Sequence, residues 1–218
     1  MYIINSYTMK KHFFHIILTS FMTAICLSSC HIDGTSYDAD SEKGYQEAGK
    51  LILKAVDTND SKVYYMKFEG SEQNGNNLDF VTIKVVTATN MAYSQKILLA
   101  GSQQALPIEE IAHTFEAPIY KDVKGFDIKN FDAKKIIDQI QQAKALIPKN
   151  SKFKAISNYT LEEAVPAGNE NFNNGVEIGK QTTSFNLSFT MQQPNGSEGF
   201  AEVRCIVDEK GKVKYDIE

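Results

Sequence analysis

The chain has 218 residues, of which 23 are basic and 27 acidic, for a net charge of −4. That balance argues against nucleic acid as a partner and against a polybasic grip on anionic lipid, since both require a basic patch.

Residues 12–27, "HFFHIILTSFMTAICL", carry no formal charge and follow Met9-Lys10-Lys11. A basic start, an apolar run and small residues at its end describe a secretory signal peptide. A membrane-spanning helix would need roughly 20 predominantly apolar residues. This run is shorter and is diluted by His12, His15, Thr19, Ser20 and Thr23.

The end of the run is more specific. Leu27-Ser28-Ser29-Cys30 resembles the lipobox of bacterial lipoproteins, a Leu and two small residues before an obligatory Cys. The resemblance covers Met9 to Cys30 and implies cleavage before Cys30, whose thiol then carries a thioether-linked diacylglycerol. Residues 1–29 are then the signal peptide, with Met9 the expected start and Cys26 discarded. The expected address is a bacterial cell envelope, with the chain membrane-anchored by its lipid. His31 after the Cys is compatible with an outer membrane, the domain facing the periplasm or the surface. Without residues 1–29 the chain carries 21 basic and 27 acidic residues, net −6. Cys205 is then the only cysteine besides Cys30, so no internal disulfide is available and packing must hold the core.

Residues 30–41, polar and acidic after the Cys, are expected to form a flexible tether. The mature α+β domain is expected over 42–218, with two subdomains, 42–128 and 129–218, as an alternative. Tyr45, Ala48, Leu51, Ile52, Ala55 and Val56 recur at helical spacing between Glu42 and Asp57, with Asp40 or Ser41 available as N-cap. Lys62–Glu69 and Asp79–Thr87 read as strands, the second with Val81, Ile83 and Val85 on one face. Tyr93–Ala100 fits strand or helix, and Ile108–Phe115 looks helical for about two turns. Phe131–Ile147 is the clearest helix, with Ile136, Ile137, Ile140, Ala143 and Ile147 in one stripe, Asp132 as N-cap and Pro148 as its stop.

Beyond it the pattern is β. Lys152–Leu161 opens the series. Thr183–Met191 alternates, with Phe185, Leu187, Phe189 and Met191 inward against Ser184, Asn186, Ser188 and Thr190 outward. Phe200–Asp208 and Lys212–Ile217 form a hairpin closed at Glu209-Lys210-Gly211. Strands polar on one face belong to an antiparallel sheet covered on one side only. Helix followed by strands occurs twice. The expected fold class is therefore α+β, helices on an antiparallel sheet, with two tandem helix-plus-meander units resembling cystatin-like or NTF2-like groups or the β-lactamase-inhibitor-protein kind.

No catalytic set emerges. Glu110-Ile-Ala-His113 has Glu-x-x-His spacing but no second copy, as a di-iron bundle requires. Asp57, Asn59 and Ser61 open like a Ca²⁺ loop, yet Lys62 and Phe68 stand where Gly and Glu are needed. Cys205 alternates with Ala201, Val203 and Val207 on an apolar strand face, which makes a buried, inert thiol the expectation. The adjacent carboxylates Glu109-Glu110 and Glu162-Glu163 diverge on any strand or helix. No cofactor and no metal ligand set is expected. The sequence therefore points to a lipid-anchored envelope protein that binds a protein partner or small ligand. Contacts are expected from Ser184, Asn186, Ser188 and Thr190 and from the loop around Phe172. The alternatives are an envelope inhibitor or immunity protein and a hydrolase using dispersed carboxylates.

Overall fold

The protein was analysed as a computed structural model that describes residues 35–70, 75–111, 118–166, 177–193 and 196–216. The calls at Cys30, His31, His113 and Phe172 lie outside the described residues.

Among the described residues two α-helices, α1 (Glu42–Ala55) and α2 (Ala133–Ala145), accompany eight strands. The strands are β1 (Ser61–Glu69), β2 (Phe80–Thr87), β3 (Ala92–Leu98), β4 (Glu109–Glu110), β5 (Ser151–Glu163), β6 (Gln181–Gln192), β7 (Glu198–Val207) and β8 (Val213–Tyr215). They form one antiparallel sheet in the order β4-β3-β2-β1-β5-β6-β7-β8. The fold is α+β, and the element order helix then four strands occurs twice within it. The inner strands of the two halves, β1 and β5, pair directly, with Phe68 opposite Tyr159.

One core cluster takes side chains from both helices and one face of every strand except β4. Tyr45, Ala48 and Ile52 of α1 and Ile136, Ile140 and Ala143 of α2 are buried there. Opposite them stand Val81, Ile83 and Val85 of β2 and Phe185, Leu187 and Phe189 of β6, as the period-two pattern requires. Asp132 caps α2 by accepting a hydrogen bond from the Lys135 amide at 3.0 Å. At the centre an aromatic knot joins the halves: Tyr159 stacks on Phe185 at 5.4 Å and meets Tyr45 edge-on at 6.0 Å.

Two expectations are corrected. The polar stretch read as a tether is packed from Thr35 onward: Tyr37 and Ala39 are buried, and the Leu78 amide donates to the Tyr37 carbonyl at 2.7 Å. Apolar spacing missed this arm because Tyr37 and Ala39 alone are too short a run to show a period, and its other attachments are polar. Glu109–Glu110, read as helical, is a two-residue strand, held as the Ile111 amide donates to the Ala92 carbonyl at 2.9 Å. An edge that supplies backbone partners outweighs a marginal helical pattern. The 42–128 and 129–218 stretches share one sheet and one core, and the chain forms a single unit from Thr35.

Candidate functional site

Both helices lie on one face of the sheet, so the opposite face carries the outward residues. Along β6 these are Ser184, Asn186, Ser188 and Thr190, each opposite to the buried Phe185, Leu187 and Phe189. The four are not equivalent. Asn186 Nδ2 donates to Glu202 Oε1 at 2.6 Å, and Thr190 Oγ1 donates to Glu198 Oε1 at 3.5 Å. Ser188 is only 3% exposed and lies 3.3 Å from the Ser157 hydroxyl. Ser184 pairs across the sheet with Thr160 and Ile206.

Ser188 is buried because β5 bends beside it. The β5–β6 register shifts twice, between Phe153 and Ala155 and between Ile156 and Asn158. Each shift inserts a residue that the neighbouring strand cannot match, which twists the strand and re-aims its side chains. The irregular stretch is held from the β1–β2 connection, where Asn76 Oδ1 accepts from the Ile156 amide at 2.9 Å. Asn76 Nδ2 in turn donates to Asp40, which also pairs with Lys144. Gly70 is required at this connection, since a Cβ there would stand 2.0 Å from the Asn77 carbonyl oxygen.

Between the bent strand and β7 lies a cavity of about 320 Å³. Ala155 gives it an apolar wall, the Ile156 side chain pointing into the core instead, and the Ser157 and Ser188 hydroxyls give it a polar floor. Phe200, at 61% the most exposed large apolar side chain among the described residues, forms the rim. Lys154 sits with its ammonium 5.2 Å from the Phe200 ring centroid. Glu202 lines the same cavity, and the two charges form no ion pair with each other.

A second cleft, about 360 Å³, opens on the helix face between the start of α2 and strands β5 and β6. Its floor holds the buried Gln139, which accepts a short hydrogen bond from the Tyr159 phenol. Asp127, Asp132 and Asp208 at its mouth are occupied locally. Asn130, through its side chain and its amide, holds the Asp127 carboxyl below the usual range, and the Lys212 and Lys210 amides do the same for Asp208. Among the described residues no group of His, Cys, Asp and Glu converges as a metal site.

The carboxylate pairs diverge. Glu163 is 2% exposed and accepts from the Lys124 and Gly125 amides at 2.7 Å each, whereas Glu162 is exposed. Glu109 and Glu110 are both exposed on the edge strand. Cys205 is buried, and burial pushes its thiol up from 9.0 to about 11. The folded thiol therefore keeps its proton where an unfolded one has lost it. The unfolded state binds fewer protons in that window, so stability falls from pH 9 toward 11. In denaturant titrations across that window the Cys205→Ala midpoint is expected to fall less than the wild-type midpoint. An equal fall in both would contradict a buried, shifted thiol.

Sequence patterning put Ser188 on the outward face but did not single out Lys154, Phe200 or Glu202, which line the same cavity. Phe200 was legible, since Ala201, Val203, Cys205 and Val207 point inward and leave it a lone aromatic on the polar face. Lys154 was not, because a bulge breaks the alternation that assigns faces. No family model matches the chain, and neither a curated protein nor a solved structure matches it.

Proposed function

We propose that this is a lipid-anchored envelope protein, held to the membrane by acylated Cys30, whose folded body binds a small ligand on the open face of its sheet. The observation that carries the binding reading is the cavity of about 320 Å³ at the doubly bent β5, with Ser188 in its floor. Bulges gather next to binding sites because they re-aim side chains. Within the outward row, Ser188 and its neighbours on β7 are the contact positions, and the Phe172 loop remains part of the proposal. An acidic body fits anchoring by acyl chains rather than by basic residues, since each buried CH₂ contributes about 0.8 kcal/mol and two or more chains hold stably. The packed body begins at Thr35, so five residue steps connect it to Cys30, a reach of at most about 18 Å.

A second reading rests on the strand order. Helix-plus-four-strand halves meeting at β1 and β5 suit tandem cystatin-like or NTF2-like units, as in the β-lactamase-inhibitor-protein layout. There the open face would clasp a protein, as an inhibitor or immunity protein does, and an outer-membrane position facing the periplasm or surface would suit either case.

Radiolabelled palmitate tests the anchor. Wild type is expected to take up label and appear as a shortened chain, whereas Cys30→Ala is expected to accumulate as an unlabelled precursor. Equal labelling of both would refute the anchor.

A further inference from the structure

We infer that the cavity beside Ser188 takes a zwitterion with an apolar body, of the amino-acid or short-peptide type. The inference rests on the binding reading above and names its ligand class. Three features of the cavity agree. First, Lys154 and Glu202 line it with opposite charges yet do not pair with each other. Ions of opposite sign that share a small space usually find each other, unless the fold holds them apart. Here the β5 bulge displaces Lys154, and Asn186 Nδ2 holds Glu202 at 2.6 Å on the β7 side. Among the described residues Lys154 has no carboxylate partner, its ammonium lying near the Phe200 ring instead.

Second, an apolar side chain has somewhere to lie. Phe200 is exposed although its strand neighbours Ala201 and Val203 reach the core, and Ala155, paired with Ser188, faces the same space. Third, the Ser157 and Ser188 hydroxyls are close enough only for a weak mutual bond at 3.3 Å. Each keeps capacity to donate to a carboxylate or accept from an ammonium. A ligand carboxylate at Lys154, an ammonium at Glu202 and a side chain on Phe200 would engage both charges and the aromatic rim, with the two hydroxyls between them. A volume of about 320 Å³ suits a molecule of that size and excludes a folded partner from its interior.

The test is calorimetric titration of the full chain in mild detergent with L-phenylalanine, L-leucine, L-phenylalaninamide and N-acetyl-L-phenylalanine. The two free amino acids are expected to bind saturably, and the derivatives, each lacking one charge, at least tenfold more weakly. Lys154→Ala is expected to lose the preference over the amide while keeping that over the N-acetyl form, and Glu202→Gln the reverse. Both side chains are exposed, so an unchanged thermal midpoint should accompany the altered preference. Equal binding of all four compounds, or no saturable binding of either amino acid, overturns the inference. If neither amino acid binds and Phe200→Asp still strips a molecule carried from the cell, the ligand class is wrong and the binding reading survives.

Discussion

Glu163→Ala is expected to cost about 3 kcal/mol of stability, the loss anticipated when two amides lose a charged, buried acceptor. The carboxylate sits at the end of β5 and accepts from Lys124 and Gly125 at 2.7 Å each, with Gln181 adding a third bond at 3.3 Å. Those amides belong to the segment that carries the chain from the β4 edge back to α2. Nearby, the Phe126 amide donates to the Val63 carbonyl at 2.8 Å, and Val123 is buried with Tyr64 and Val86. Val86 faces away from the core side chain of Val85, so this small cluster lies on the open side of the sheet. Glu163 is thus the clamp that holds the crossover where it passes the central strands. Glu163→Gln keeps one acceptor and should cost about half as much, while the exposed neighbour Glu162→Ala should stay within about 0.5 kcal/mol of wild type. Denaturant midpoints of the three variants decide the matter, and equal effects at positions 162 and 163 would show that no clamp exists.

Tyr159→Ala is expected to be costlier still, about 3–5 kcal/mol, as for other large aromatic truncations in a core. Its ring stacks on Phe185 and meets Tyr45 and Phe68 edge-on, so it touches both halves of the fold. The milder Tyr159→Phe isolates the hydroxyl. It strands the buried Gln139 carbonyl and should cost about 1–3 kcal/mol, the penalty for an unsatisfied buried polar group. Replacing both partners by apolar groups of similar shape can be nearly neutral. The pair Tyr159→Phe with Gln139→Leu is accordingly expected to be more stable than Tyr159→Phe alone. A double variant less stable than the single one would show that the hydrogen bond is not what the phenol contributes.

The contrast between what patterning revealed and what it missed follows from the kind of interaction involved. Apolar period predicted α1, α2, β2 and the inward face of β6, because burial on one face leaves a repeating mark in the sequence. The β7–β8 hairpin was also legible: Asp208 accepts from the Lys210 and Lys212 amides, and Gly211 takes φ 77°, where glycine is favoured. The β4 edge was not, since backbone bonds hold it, and neither was the N-terminal arm, whose two buried apolar residues, Tyr37 and Ala39, are too few to show a period. Gln139 falls on the buried side of α2 and was passed over as polar, although its partner Tyr159 explains its place. At the candidate site the outward row of β6 was visible, but the double bulge that turns Lys154 and Ser157 toward it was not. A bulge is a property of two strands together, and one strand read alone does not show it.

Native mass spectrometry of the protein extracted from its own membranes, wild type beside Phe200→Asp, tests the central claim most directly. The expected result is a chain that begins at acylated Cys30 and carries a small molecule, with the adduct lost and the acyl mass kept in the variant. A bare, unacylated chain, or an adduct that Phe200→Asp leaves in place, would contradict an anchored protein that binds at this face.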